Sequence, residues 1–289
     1  MDELIRRIGD ALDRSVLSLH RLSGGDVAEA FRVELTDGDR VFAKTHAAPP
    51  PHFFPTEATG LGWLREAAVA SHAPIAVPGV LGVAEDLLVL EWIDEAPSAR
   101  STEVDLGRAL ARIHRVGAPS FGRSDRRTTG SRALPNEPCS NWSEFYAVNR
   151  LEPLARLARD GRALDERAIG RLDAIADRLA SFDAADEPPA LLHGDLWAGN
   201  RLVGSGGVNW LIDPAAHGGH REFDLAMMAL FGGFGDECWT AYDDEYPLSP
   251  GWQDRVPLHQ LAPLVVHAIK FGNPYPVAVD RALDACDRL

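Results

Sequence analysis

The chain of 289 residues is short of cysteine, of basic charge and of long apolar runs. Its three cysteines, Cys139, Cys238 and Cys286, are odd in number and far apart. They supply no disulfide framework and no paired metal or redox spacing, and a reduced, cytoplasmic setting fits them best. Lys and Arg number 29 against 43 Asp and Glu, a net charge of -14. A field of that sign argues against a nucleic-acid partner and accommodates cationic or amine-bearing substrates. No stretch approaches the ~20 apolar residues of a spanning helix, so no membrane partner is expected. The first residues, Met1 to Arg7, are charged and lead into no apolar run, so they do not read as a secretory leader. There is no Walker A run, no complete G-x-G-x-x-G, no internal repeat and no low-complexity tract. What remains is the composition of an ordinary soluble globular protein, long enough for one large domain or two lobes.

The pattern changes along the chain. Residues 2–13 place Leu4, Ile5, Ile8 and Leu12 on one helical stripe. Alternation at Phe31, Val33 and Leu35, then at 40–44, predicts strands after a turn holding Gly24 and Gly25. That turn is either a loop folded over nucleotide phosphates through its N–H groups or a plain hairpin turn. Lys44 ends its strand after apolar residues, as in the kinase V-A-I-K pattern. Glu57 opens a helix that Thr56 could cap; it is either the ion-pair partner of Lys44 or a carboxylate favoured by the helix dipole. Residues 77–83 and 87–91 read as two further strands. Glu91, Trp92 and Ile93 then form a connection whose backbone could bond an adenine edge. Beyond it the sequence turns helical. Thr102 and Asp105 resemble a capping pair, His114 reads as structural, and 117–138 is a long polar loop. This predicts an α+β, two-lobed arrangement: a small antiparallel-sheet lobe over residues 1–94 and a larger, mainly helical lobe over 95–289.

The second half centres on Leu191-Leu192-His193-Gly194-Asp195-Leu196-Trp197-Ala198-Gly199-Asn200, followed by Leu211-Ile212-Asp213-Pro214. Protein kinases space a base Asp and a metal-binding Asn in H-R-D-x-x-x-x-N, then a metal-binding Asp. Here His193, Asp195 and Asn200 keep that spacing. The apolar runs flanking Gly204 to Gly207 predict a hairpin that returns Asp213 beside Asn200. Phosphoryl transfer needs positioning and charge neutralisation more than covalent help. Asp195 would orient or accept the acceptor's proton. Asn200 and Asp213 would hold Mg²⁺, and Lys44, set by Glu57, would hold the phosphates of ATP. The order of the parts along the chain strengthens each of them. Asp224 reads as a buttress of this loop or as a helix cap.

At these residues the sequence resembles the fructosamine kinases, or ketosamine 3-kinases, within the aminoglycoside phosphotransferase type of small-molecule kinase. His193 to Asn200 is similar to the family's H-G-D-L-W-x-G-N. Asp213-Pro214-Ala215, Gly219-His220-Arg221-Glu222, and Asp224 to Met227 leading to Phe231-Gly232-Gly233-Phe234 are similar too. The likeness runs through 53–64 and the Asn141-Trp142 helix and covers most of the chain. It implies a protein-kinase-like fold and ATP-dependent phosphorylation of the O-3 hydroxyl of ketoamines carried by small amines or glycated proteins. The unstable product releases the amine. It also implies that Trp197 and the stretch holding His217, His220 and Glu222 face the ketoamine. Two departures stand out. The glycine turn lacks the cysteine through which some relatives form an intersubunit disulfide, and D-F-G is absent. No motif assigns an oligomeric state. A kinase of another hydroxyl compound, such as an aminoglycoside or amino alcohol, and a nucleotide-binding module without turnover are the competing functions.

Overall fold

Alternating burial builds the first layer. In a computed structural model that describes residues 2–23 and 28–289, helix α1 (Asp2–Leu12) precedes strands β1 (Val16–Arg21), β2 (Glu29–Leu35) and β3 (Arg40–Thr45). Helix α2 (Phe53–Ala70) and strands β4 (Ile75–Ala76), β5 (Val80–Ala84) and β6 (Leu87–Glu91) follow. Five strands form one antiparallel sheet in the order β1-β2-β3-β6-β5. Phe31, Val33, Leu35, Val41 and Val89 point one way from it and pack under Ile8 of α1, as a period of two requires. The run read as a strand over 77–83 is shifted. Only 80–84 joins this sheet, while Ile75 and Ala76 leave it to pair in parallel with Asn209 and Trp210.

The helical part begins with α3 (Thr102–Val116). After the long loop come α4 (Trp142–Tyr146), one π-helical turn at 147–151, α5 (Glu152–Asp160) and α6 (Glu166–Arg178). Short strands β7 (Ala190–Leu192), β8 (Arg201–Val203), β9 (Asn209–Leu211) and β10 (His217–Gly219) frame the central loop. Helices α7 (Glu222–Phe231), α8 (Asp236–Glu245), α9 (Trp252–Phe271) and α10 (Tyr275–Cys286) close the chain. One apolar cluster fills the helical lobe around Leu154, Ile169, Leu172, Leu261 and Leu283. A second joins α2 and α3 to the central loop through Leu61, Leu64, Leu106, Leu110, Leu196 and Leu211. The chain is thus α+β and two-lobed, with the seam under the central loop.

Two expected helix caps are absent. Helix α2 begins after His52, which sits at φ 60°, and Thr56 lies inside its first turn with a buried, unpartnered hydroxyl. Helix α3 follows Ser101; the Thr102 hydroxyl instead donates to Gly207 O at 2.8 Å and accepts from Ala99 N. The Thr102 hydroxyl thus bridges two elements, while that of Thr56 is buried without a partner. Asn141, by contrast, does cap its helix, accepting from Glu144 N at 2.8 Å. The paired glycines Gly24 and Gly25 lie outside the described residues. Among the described residues no helix is long and apolar enough to cross a membrane.

Candidate active site

Two pairs of strands hold the central loop. Strand β7 leads into it and pairs with β10, His217 opposite Leu192. Strands β8 and β9 form the expected hairpin, Arg201 opposite Leu211. The loop of 193–200 and the segment of 212–216 therefore run side by side, and Ile212 N donates to Asn200 O at 3.0 Å.

Within that frame His193 is a fixed, neutral spacer. Its Nε2 donates to Ile212 O at 3.0 Å and its Nδ1 accepts from Asp195 N at 3.3 Å. Burial lowers its pKa, against the pull of Asp224. Asp224, wholly buried, takes His193 N at 2.7 Å and Gly194 N at 2.8 Å on its two oxygens. His114 Nε2 lies 3.2 Å away and His114 Nδ1 is bonded to the Tyr242 hydroxyl at 2.7 Å. Burial opposes the Asp224 charge, but His114, His193 and the Gly194 amide outweigh it and hold its pKa low. Asp224 is thus the buttress of the loop, and His114 supports it. Gly194 is required because its φ is 81° and a Cβ there would meet Ala215 O at 2.2 Å.

Asp195 is half-buried and sits beside Asn200, whose Nδ2 donates to Asp195 O at 2.8 Å and Oδ2 at 3.1 Å. Burial pushes its carboxyl up to about 6; Asp213 and Asp224 add to the shift, while Asn200 and Lys270 oppose it. Lys44, central in the sheet between β2 and β6, reaches across to the same place. Its Nζ bonds Glu57 Oε1 at 2.9 Å and also Asp213 Oδ1. Burial works against its charge, yet the two carboxylates prevail and keep it an ammonium. Helix α2 brings Glu57 in because Gly60 lets the helix lie against Ala216 and Pro214, its ideal Cβ 3.1 Å from Ala216 Cβ. Of the two readings of Glu57, the ion pair with Lys44 holds; no acidic residue lies in the first turn of the helix.

Five sequence candidates therefore meet: Lys44, Glu57, Asp195, Asn200 and Asp213. Their chemistry is that of a cation and oxygen donors around a half-buried carboxylate, suited to polyphosphate and a hard metal ion. Glu91 ends β6, and Trp92 and Ile93 follow it. The Glu91 N–H is already given to Gly79 O at 2.9 Å, and the Trp92 indole donates to Asp94 Oδ1 at 3.0 Å.

Trp197 is 41% exposed, the most open apolar side chain of the loop. Its ring lies over Gly199, where a Cβ would come within 2.2 Å of it, so the glycine makes room for the indole. Phe231 stands edge-on to Trp197 at 6.1 Å between ring centroids, and His267, Phe271 and Tyr275 continue the aromatic surface. Lys270 Nζ lies 4.8 Å from the Phe271 ring centre. Sequence reasoning missed the residues from α9 and α10. They stand some 70 positions from Asp195, and no local spacing marks them.

His217, His220 and Glu222 do not open to solvent as residues facing a substrate would. All three are buried. His217 is bonded to Ala215 O at 2.8 Å and burial lowers its pKa to about 3. His220 donates to Ala184 O and accepts from Glu222 N, with its pKa lowered by burial to about 4. Glu222 pairs with Arg255 at 2.5 and 3.0 Å. Burial opposes its charge, but His259 and Arg255 prevail and lower its pKa to about 2. His220, Glu222 and His259 lie within 4.8 Å of one another at their ligand atoms. Both His220 nitrogens and both Glu222 oxygens are already bonded, so the group is built as a structural knot.

A family model described as fructosamine kinase matches residues 3–288. A protein of Lactiplantibacillus plantarum named as a ketoamine kinase is 35% identical over 263 residues, covering 91% of each chain. A crystal structure of a Thermobifida fusca protein named as a fructosamine-3-kinase superposes with a TM-score of 0.90 at 38% identity, covering 100% of each chain. An ADP-bound aminoglycoside phosphotransferase, 12% identical, shares the fold with a TM-score of 0.62 over 98% of this chain and 97% of its own.

Proposed function

We infer the reaction from one premise: the chain belongs to the fructosamine kinase family. It is an ATP-dependent small-molecule kinase, a phosphotransferase with an alcohol acceptor, acting on the O-3 hydroxyl of ketosamines of the fructosamine or ribulosamine type. Loss of the amine from the product makes the role one of deglycation. The observation that carries this reading is the meeting of Asp195 and Asn200 with the Lys44–Glu57–Asp213 group, next to an exposed Trp197.

Asp195 takes the proton of the acceptor hydroxyl as the phosphoryl group leaves ATP. Lys44, held by Glu57, binds the nucleotide phosphates. The side-chain oxygens of Asp213 and Asn200, at the two ends of the β8–β9 hairpin, would be the hard donors that Mg²⁺ takes. When bound there, Mg²⁺ supplies charge neutralisation on the phosphates. Backbone groups of 91–93 take the adenine edge, less the Glu91 N–H. We place the lobe boundary at 94/95 and the protein in the cytoplasm, where its three free thiols stay reduced. Trp197 and the aromatic surface behind it receive the acceptor, a small ketoamine or a glycated protein side chain. His217, His220 and Glu222 act only by holding the floor of the site.

ADP formation measured with a fructosamine, an aminoglycoside and no acceptor tests this reading. Turnover is expected with the fructosamine alone; turnover confined to the aminoglycoside, or none, sinks it. The Asp195 carboxyl also sets a pH limb. A base must be ionised, and burial raises this one to about 6. Below that pH, kcat/KM for the ketoamine falls about tenfold per pH unit; above it the profile levels. A profile flat from pH 5 to 8 removes Asp195 as the base.

A further inference from the structure

The loop at 121–139 is more than a connection. We propose that Arg123 is a positioning residue, tying α2 and the segment after Asp213 into one block so that the Lys44–Glu57–Asp213 group is set before nucleotide arrives. This rests on the proposed phosphate-binding role of that group.

Arg123 is 1% exposed although charged. Its guanidinium centre lies 4.3 Å from the ring centre of Trp63, on α2. Nη1 donates to Ala216 O at 2.7 Å, three residues beyond Asp213. Nε and Nη2 grip Asp125 at 2.9 and 2.8 Å, which balances the charge and fixes the plane of the fork. One side chain thus touches both the helix that carries Glu57 and the segment that carries Asp213.

The same loop makes a second hold on α2. Arg127 Nη1 donates to Pro55 O at 3.2 Å and lies 3.4 Å from the Thr59 hydroxyl, on either side of Glu57 in sequence. The base of the loop is fastened to the helical lobe. Gly122 and Gly218 exchange two backbone hydrogen bonds of 2.8 Å. Arg123 N donates to Asn136 O at 2.9 Å, and Arg150 holds Asn136 Oδ1 and Pro135 O at 2.6 Å each. The load path therefore runs from the helical lobe, through 121–139, to the first three turns of α2.

A kinase whose Lys–Glu pair depends on the placing of one helix loses nucleotide affinity in proportion to the time that helix is displaced. In this protein two arginines fasten the helix in addition to its apolar packing through Leu61 and Leu64. Without them α2 drifts, Glu57 leaves Lys44, and MgATP has to re-form the pair.

The test compares Arg123→Met, Arg123→Lys and Arg127→Ala. MgADP affinity is measured without acceptor, and KM is measured for MgATP and for a fructosamine. Hydrogen exchange follows the amides of 53–60. Arg123→Met is expected to raise Kd for MgADP and KM for MgATP about tenfold, and Arg127→Ala about threefold, by the displaced fraction. Fructosamine KM stays unchanged, kcat at saturating MgATP is retained, and 53–60 exchanges faster. Arg123→Lys, which keeps the charge over Trp63, recovers part of the loss. MgADP affinity equal to wild type in folded variants overturns the proposal. So does an equal rise in both KM values, which marks general loosening. If Arg123→Met does not fold, the half-buried Arg127 decides by the same readouts. A wild-type protein that binds MgADP yet ignores ketoamines fails the functional reading and leaves this test standing.

Discussion

Asp195→Asn lowers kcat by about 10²- to 10⁴-fold, the range that general-base catalysis contributes, while MgATP still binds. The substitution keeps the shape of the side chain and its place beside Asn200, whose Nδ2 also bonds the Asp195 backbone oxygen at 2.8 Å. The loop is held from behind by Asp224 on His193 N and Gly194 N, and from the side by His193 on Ile212 O. None of these bonds uses the Asp195 carboxylate. What the variant loses is the basic oxygen and its charge near Asp213. Turnover at the wild-type rate, measured as ketoamine-dependent ADP release, would take Asp195 out of the reaction. Loss of nucleotide binding along with turnover would show that its charge is part of the phosphate site instead.

Asp213→Asn is the second large effect, and it falls on nucleotide rather than on the proton. Asp213 sits at φ 54°, a region that Asn tolerates better than other side chains, so the backbone of the turn survives. Its carboxylate is one of two that hold the Lys44 ammonium, and the proposed carrier of Mg²⁺. Truncating one partner of a buried charge pair costs about 3–5 kcal/mol. The Asp213 side chain is 39% exposed, so solvent screens part of that. That loss falls on stability; MgATP affinity, which loses a metal-facing carboxylate, is expected to weaken by about 10- to 100-fold. The Mg²⁺ titration of nucleotide binding should move to higher concentration with it. An unchanged Mg²⁺ midpoint in a folded variant would clear Asp213 of the metal role.

How far the site could be seen beforehand depended on sequence distance. Asp195 and Asn200 lie on one loop, and a predictable hairpin returns Asp213 to them, so local spacing was enough. Lys44 and Glu57 joined through the order of parts, since strand β3 and helix α2 are each ordinary alone. The sequence does not separate a cap at Thr56 or Thr102 from a buried hydroxyl, because a hydroxyl before an apolar run looks the same whether it caps its own helix or packs elsewhere. Thr102 does the latter, across to Gly207 O. His217, His220 and Glu222 stand close to the site in sequence, yet β10 and the first turn of α7 turn them inward, where His259 and Arg255 satisfy the Glu222 charge. Arg123 and Lys270 were invisible for the opposite reason. One sits in a polar loop with no periodicity, the other on a helix some 70 residues beyond Asp195. Only tertiary packing brings either to the site.

The central claim is that this arrangement moves the γ-phosphoryl group of ATP to a ketoamine hydroxyl through Asp195. It is met most directly by ³¹P–¹H NMR of the product formed from ATP and a fructosyl amine. A phosphate coupled to the proton on C-3, followed by release of the free amine and absent with Asp195→Asn, is the expected result. Inorganic phosphate as the only new signal, or phosphate on another hydroxyl, would contradict it.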